Sequence, residues 1–578
     1  MIILKCIIYR QSNRSHGGIL MDYISRYKNW LNNSNIDTDT KNELLAIEGN
    51  DKEIKERFYN EIEFGTAGMR GVLGAGLNRM NIYMVRRATQ GYADYIKSKG
   101  IDACQRGVVI AHDNRRMSVE FSHETAGVLA ANGIKSYIFD SLRPTPELSF
   151  AVRELGAFGG VMITASHNPP EYNGYKLYDE RGCQLVPSMI DELIKYVSAI
   201  EDPLSIKSLD LSEAKDFVTL LDNTIDEKYY NAVLSISLLK DINKDIKVVY
   251  SPQHGTGNVP VREVLGRSGY NVIPVLEQCT ADTEFSNTKN PNPEVKEAFE
   301  LSIEYANKND ADIIITTDPD CDRLGVAVKQ GDEYILMTGN QTAAVILEYI
   351  LVQRSKNNTM PKNPVVFNTV VTSDLGDRIC EHFGVSIEKT LTGFKFIGDK
   401  IFTHETLKDK NFVFGYEESY GCLAADFVRD KDAVQASLML CECAAYYKEK
   451  GITLYDALNA IYEKYGYYND SVDSFTFKGL DGAEKIKSLV DDLRNNPPKD
   501  VMGISVVKVE DYTKEEMIKL GYPKSNVLRF VFEDTSWVAV RPSGTEPKCK
   551  FYFCISSENK ETAIPKLAGF KAVFEKNC

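Results

Sequence analysis

Residues 159–170 read Gly159-Gly160-Val161-Met162-Ile163-Thr164-Ala165-Ser166-His167-Asn168-Pro169-Pro170. A short apolar run, long enough for one buried strand, gives way at Thr164 to residues that resist both helix and sheet. Pro169 and Pro170 hold Asn168 and Pro169 extended, so the hydroxyl of Ser166 sits on a stiff turn where a strand ends. The heptapeptide alone also fits an Asx-type turn that merely closes the strand.

The same order of elements recurs around it. The first stretch runs through a strand near 107–111, a helix near 119–132, a strand near 135–139, a helix near 146–155 and the strand that ends before Ser166. The second has strands near 247–250, 271–275 and 311–316 with helices near 260–268 and 294–307, and closes on Asp318-Pro319-Asp320-Cys321-Asp322-Arg323. The third has strands near 365–367, 385–387 and 411–414 with a helix near 374–383, and closes on Gly415-Tyr416-Glu417-Glu418-Ser419. Continuous apolar runs alternating with helix-length segments predict largely parallel sheets, in which ligands sit beyond the carboxyl ends of strands. Past residue 455 the texture changes to an α+β tail with its own loop, Arg541-Pro542-Ser543-Gly544-Thr545-Glu546-Pro547-Lys548. The fold class is therefore α/β: three similar mixed α/β sheet domains in tandem plus a C-terminal α+β domain, with four loops around a central cleft. The expected bounds are 21–212, 213–333, 334–453 and 454–578. Residues 1–20 read as an extension, with Met21 as the expected first residue.

Bulk properties agree. At 578 residues the chain exceeds one core, and 43% hydrophobic with 26% charged residues is ordinary for a globular protein. A formal net charge of −14 argues against nucleic-acid or membrane-surface partners, while leaving room for a local basic pocket. Twelve cysteines without a C-x-x-C pair read as reduced thiols of a cytoplasmic protein. No run reaches the roughly 20 apolar residues of a membrane span.

Each loop has a chemistry. Asp318, Asp320 and Asp322 alternate, so three like charges crowd together unless a cation holds them; oxygen ligands favour Mg²⁺, Mn²⁺ or Ca²⁺. An EF-hand is excluded, because Arg323 and Lys329 stand at its glycine and closing-glutamate positions. A solvated acidic turn is the alternative. Arg541, Ser543, Gly544 and Thr545 combine a donor fork, hydroxyls and exposed amides suited to phosphate, although Pro-Ser-Gly is also a common turn. Glu417 and Ser419 offer groups that bind sugar hydroxyls. Arg429, Lys431 and Lys395 are either cations near that loop or a solvated face, and His254-Gly255-Thr256-Gly257 is either functional or a plain glycine turn. Neither a Walker loop nor a dinucleotide fingerprint is present. A serine, a carboxylate-held cation and a phosphate clamp together suggest phosphoryl transfer on a phosphorylated sugar.

With these motifs in order, and with Gly65-Thr66-Ala67-Gly68-Met69-Arg70-Gly71 ahead of them, the chain resembles the α-D-phosphohexomutase superfamily, most closely its phosphoglucomutase/phosphopentomutase-like branch. The resemblance runs from about Met21 to the end. It implies that Ser166 is a phosphoserine whose phosphate completes a Mg²⁺ site with Asp318, Asp320 and Asp322. It places Arg70, His167 and Lys176 near the transferred phosphate, with Lys176 as general acid/base. It assigns Arg323, Thr392, Gly393, Glu417, Ser419 and Lys431 to substrate, and Arg541, Ser543, Gly544, Thr545 and Lys548 to the phosphate clamp. The implied reaction interconverts glucose 1-phosphate and glucose 6-phosphate through a bisphosphate, with glucose 1,6-bisphosphate as primer, in a monomer or small homo-oligomer. The intermediate must turn over without escaping, which implies a hinged fourth domain. One departure stands out: where some members carry a histidine two residues after the loop serine, this chain has Gly421, with Lys431 as the substitute to consider. A pentose phosphate, or less readily mannose phosphate, is the alternative substrate. A metal-dependent phosphomonoesterase and a non-catalytic sugar-phosphate binder are the readings from other classes.

Overall fold

The structure, a computed structural model, describes residues 22–65, 68–477, 482–542 and 548–576. The expectation for residues 1–20 and parts of two motifs (Thr66-Ala67 and 543–547) lie outside the described residues. The chain forms two compact units. The first runs to Pro144 and adds Ala151–Thr224 and Asp282–Glu284; the second takes Thr145–Phe150, Ile225–Ala281 and Phe285 onward.

The first unit begins with three short helices, Asp22–Leu31, Thr38–Ala46 and Asp51–Phe58. Trp30 packs edge-on against Phe58 and Tyr83, which gives these helices their own core. Its sheet contains β1 (Met69–Val72), β2 (Val108–His112), β3 (Ser136–Phe139), β4 (Gly159–Ile163), β5 (Tyr172–Asp179) and β6 (Val218–Leu221) in the order β1-β5-β4-β2-β3-β6. Strands β2 and β4 are buried along their whole length, which is why both read as unbroken apolar text. The pairs β2–β3, β2–β4 and β3–β6 are parallel, whereas β4–β5 and β1–β5 are antiparallel.

The second unit holds three sheets. One contains β7 (Lys247–Ser251), β8 (Asn271–Pro274), β9 (Ile313–Thr317), β10 (Leu324–Gln330) and β11 (Glu333–Met337), ordered β11-β10-β9-β7-β8. The next contains β12 (Pro364–Thr369), β13 (Ser386–Thr390), β14 (Asn411–Tyr416) and β15 (Cys422–Leu423), ordered β13-β12-β14-β15. In both, as in the first unit, a parallel centre ends in an antiparallel edge: β9–β10 and β14–β15 mirror β4–β5. The expectation of largely parallel sheets holds for the centres only. The antiparallel strand β5 escapes a search for apolar runs because its text is mixed: it reads Tyr-Asn-Gly-Tyr-Lys-Leu-Tyr-Asp. The helix expected over 294–307 is shorter, a 3-10 turn at Lys296–Phe299 followed by a helix at Glu300–Asn309. Glu294 stays outside it, its amide held by the Asn292 side chain at 3.1 Å.

The last sheet is antiparallel throughout. It orders β16 (Tyr467–Thr476), β21 (Lys548–Ser557), β20 (Trp537–Pro542), β19 (Leu528–Phe532), β18 (Ile504–Asp511) and β17 (Asp500–Val501) as β16-β21-β20-β19-β18-β17. Phe530, Phe532, Phe551 and Phe553 pack with Phe570 and Phe574 of the helix Lys560–Phe574. Asp374 ties this sheet to the preceding one: it accepts from Trp537 Nε1 at 3.0 Å, lies 3.5 Å from Arg529 and pairs with Lys389 at 2.9 Å.

Candidate active site

Ser166 lies in the loop between β4 and β5, in the first unit. The Asn168 amide donates to the Ala165 carbonyl at 3.2 Å, so the tight turn foreseen from the sequence is present. Within it Ser166 adopts φ +53°, a left-handed conformation that costs a non-glycine residue on the order of 1–3 kcal/mol. Its amide donates to Thr164 Oγ1 at 2.8 Å and its Oγ lies 3.1 Å from His167 Nδ1. Strand pairing fixes the neighbours. Lys176 on β5 stands opposite Met162 of β4, and Arg70 on β1 stands opposite Gly174 of β5. Arg70 Nη1 reaches Asn168 Oδ1 at 2.9 Å. The topology therefore delivers Arg70, Ser166, His167 and Lys176 to one end of one sheet.

The metal loop joins β9 to β10 in the second unit. Asp318, Asp320 and Asp322 are buried and bring ligand oxygens within 4.8 Å of one another, which rules out the solvated acidic turn. Asp318 Oδ1 accepts the amides of Asp322 and Arg323 at 3.1 and 3.0 Å. Burial, reinforced by the Asp320 and Asp322 charges, pushes the Asp318 carboxyl well above the usual range. Three buried oxygen donors with mutual repulsion fit a hard divalent cation. The segment Thr145–Phe150 braces the loop from one side, Thr145 donating from N to Asp320 O and from Oγ1 to Asp320 Oδ2, both at 2.9 Å.

His254-Gly255-Thr256-Gly257 braces it as well. Thr256 donates to Pro319 O from its amide at 2.8 Å and its hydroxyl at 2.9 Å. Gly255 permits this approach: a Cβ there would lie 2.4 Å from Pro319 Cα and 2.5 Å from its carbonyl oxygen. This motif is a buried prop for the metal loop, more than a plain glycine turn.

The third loop follows β14. Glu417 is buried and accepts the Gly393 amide at 2.6 Å, joining two segments that the sequence sets apart. Burial raises its carboxyl to about 7 against the pull of Lys431. Ser419 is half-buried in the same loop. Arg429 and Lys395 are buried and Lys431 is half-buried and ion-paired, so the solvated-face reading fails for all three. Lys431 Nζ lies 3.0 Å from Asp322 Oδ2 and 3.2 Å from Asp430 Oδ1. Burial opposes its charge, but Asp322, Asp430 and Glu417 outweigh that and hold its pKa above the ordinary value. The same holds for Arg323, which is ion-paired with Glu294. Gly421 is the cradle for this lysine: a Cβ there would lie 2.1 Å from Lys431 Cδ and 2.7 Å from Cγ. The missing histidine and the ion-paired lysine are thus one feature, because a side chain at 421 would displace Lys431.

Arg541 is the penultimate residue of β20 and Lys548 the first of β21; Ser543, Gly544 and Thr545 between them lie outside the described residues. Burial raises the Glu418 carboxyl, while Lys550 and Arg541 pull it down, so the basic end of the last sheet acts electrostatically on the third loop. Sequence reasoning passed over Arg115, Thr145 and Glu294. The first had a signal: Asp113-Asn114-Arg115-Arg116 directly follows β2, at the strand-end position that marks the other loops. Among the described residues no helix is long and apolar enough to cross a membrane.

Comparison with known proteins agrees with this geometry. Four profiles of one family match in chain order. They are phosphoglucomutase/phosphomannomutase alpha/beta/alpha domain I over residues 61–203, domain II over 227–331, domain III over 338–465 and the C-terminal domain over 486–565. The phosphoglucomutase of Staphylococcus haemolyticus is 38% identical over 525 residues, 88% of this chain and 92% of the relative. That of Staphylococcus aureus is 37% identical over 529 residues, 89% and 94% of the two chains. Among solved structures, parafusin (phosphoglucomutase) of Paramecium in its open form matches with TM-score 0.68 at 19% identity, covering 90% of this chain and 95% of its own. A phosphoglucomutase/phosphomannomutase family protein of Burkholderia thailandensis matches with TM-score 0.66 at 19% identity, covering 89% and 97%. With three mixed α/β sheets, a C-terminal sheet domain and a buried aspartate triad after β9, this chain belongs to the phosphoglucomutase/phosphomannomutase family.

Proposed function

We propose that this protein is a phosphoglucomutase, interconverting glucose 1-phosphate and glucose 6-phosphate through a phosphoserine and a bisphosphorylated sugar. The observation that carries the reading is the match to the staphylococcal phosphoglucomutases, which spans 88% of this chain in the first of them. It also favours a hexose over the pentose and mannose alternatives.

Ser166 is the phosphoryl carrier. Its strained turn fixes the hydroxyl, and His167 Nδ1, 3.1 Å from Oγ, is placed to hold the hydroxyl proton as the phosphoryl group returns. Arg70 binds the transferred phosphate, and Lys176 moves a proton to and from the sugar hydroxyl. Asp318, Asp320 and Asp322 would hold Mg²⁺. When bound, the ion supplies the positive charge that the transferred phosphoryl oxygens need. Arg323 and Lys431 add fixed positive charge beside the triad. Lys431 is the candidate for the second acid/base role. Glu417 and Ser419 receive the sugar hydroxyls, the Gly393 amide donating to Glu417 from the neighbouring substrate loop that also carries Thr392. Arg541, Ser543, Gly544, Thr545 and Lys548 clamp the phosphate that is not being transferred. The domain bounds read from the sequence assign one loop to each domain. Glucose 1,6-bisphosphate primes the serine, and the enzyme works in the cytoplasm as a monomer or small homo-oligomer.

Incubation with glucose 1-phosphate, Mg²⁺ and a trace of glucose 1,6-bisphosphate tests this. The expected product is glucose 6-phosphate without free phosphate. Accumulation of inorganic phosphate identifies a phosphomonoesterase and refutes the mutase. Ribose 1-phosphate run in parallel is turned over more slowly; preference for it overturns the hexose assignment.

A further inference from the structure

The serine turn has a support that lies outside the roles assigned so far. Arg115 follows β2 and is 3% exposed. Its Nη2 donates to the carbonyls of Ser166 and Asn168, each at 2.5 Å, and its Nη1 to those of Pro169 at 2.8 Å and Tyr172 at 3.1 Å. Asp113 aims it: Oδ2 lies 3.2 Å from Arg115 Nε, and Oδ1 accepts the Arg115 amide at 3.0 Å and the Ser118 hydroxyl at 2.8 Å. The Asp113 amide in turn donates to Ile163 O at 3.1 Å, tying the loop after β2 to the last residue of β4.

Four main-chain carbonyls converging on one buried point would be costly without donors. A planar guanidinium supplies five N–H groups in a fixed fork; a lysine ammonium offers three from one point and cannot span the same set. One of the four carbonyls belongs to Ser166, whose left-handed backbone persists only where the surroundings over-determine it. We propose that Arg115, aimed by Asp113, is the positioning residue of the nucleophile. It clamps residues 166–172 from beneath, holds Ser166 in its strained conformation and so sets the line of attack without touching substrate.

The rate consequence rests on the phosphoserine reading; the conformational consequence does not. Misplacing a reacting atom by about 1 Å costs on the order of 100-fold in rate. Full-length wild type, Arg115→Lys and Asp113→Asn are compared by steady-state mutase kinetics and, without substrate, by amide exchange of the segment 164–172. In Arg115→Lys, kcat is expected to fall about 100-fold with KM for glucose 1-phosphate changed less than about threefold. Exchange in 164–172 is expected to rise at least about tenfold while the helix Ile82–Ser98 stays protected. Asp113→Asn moves both readouts the same way by less. Folded Arg115→Lys with wild-type exchange and wild-type kcat overturns the proposal. So does lost stability with kcat per folded molecule unchanged, which is the mark of a merely structural arginine. Should Arg115→Lys fail to fold, Asp113→Asn decides, and wild-type values there overturn the proposal. Faster exchange in the variants of a protein with no mutase activity supports the clamp and counts against the functional reading.

Discussion

Asp320→Asn should stabilise the cation-free protein, although substitutions at buried polar sites usually destabilise. The triad places three carboxylates with ligand oxygens within 4.8 Å of one another, and all three are buried. At an effective dielectric constant of about 20, one ionised pair at that separation repels by about 3 kcal/mol. Proton uptake relieves part of this, as the raised Asp318 carboxyl indicates. Removing one charge is then worth about 1–3 kcal/mol. Asp320 is the residue to change. Asp322 also serves Lys431, whereas the Thr145 hydroxyl that Asp320 accepts at 2.9 Å can still donate to an asparagine oxygen. Saturating Mg²⁺ reverses the order. Wild type gains about 2.7 kcal/mol at a concentration 100 times Kd, and the variant, one ligand short, gains far less. Denaturant unfolding near pH 7.5 in EDTA and in excess Mg²⁺ checks both halves of this prediction. A variant less stable than wild type in EDTA, with an equal Mg²⁺ increment, would falsify the assignment of the triad as a cation site.

Three further outcomes follow from single contacts. Gly421→Ala drives a Cβ into Lys431, breaks its 3.0 Å pair with Asp322 and lowers kcat by about tenfold or more; equal kinetics in wild type and variant would show that the lysine is a bystander. Gly255→Ala collides with the Pro319 main chain, so stability should fall by about 1–3 kcal/mol and Mg²⁺ affinity with it; a variant with wild-type affinity separates that loop from the metal loop. Asp470 is raised from 3.8 to about 7 by burial, with the Asp374 charge adding to it and hydrogen bonds from Cys554 and Ser373 opposing. Between these values the folded state binds the extra proton, so stability falls as pH rises through that window and stays reduced above it. Asp470→Asn should therefore gain about 2 kcal/mol above pH ~7 and nothing below pH ~4, read from unfolding midpoints; an equal gain at both ends would refute the titration.

The parallel centres were legible because strands buried on both faces have little choice but continuous apolar text; β2, β4 and β9 declare themselves. The antiparallel β5 was not, since it carries Asn173 and Lys176 among its tyrosines and has no period to detect. Loop positions followed from the same logic, and Ser166, the aspartate triad and Glu417 stand at the strand ends where the sequence put them. What the sequence could not convey was contact between distant segments. Gly393 meeting Glu417, Thr256 propping Pro319 and Arg115 gripping the serine turn depend on how the chain returns on itself. The departure at Gly421 is the instructive case. In sequence it is a missing histidine; in the structure it is the space that Lys431 fills.

The central claim is that Ser166 carries the phosphoryl group between sugars. Its most direct test is to load the protein with glucose 1,6-bisphosphate labelled in its phosphates, map the label by peptide mass, and chase with unlabelled glucose 6-phosphate. The account predicts one phosphate on the peptide containing Ser166, absent from Ser166→Ala, that leaves during the chase as labelled sugar bisphosphate or monophosphate. Label on another residue, or label released as inorganic phosphate while no sugar acquires it, would contradict the account.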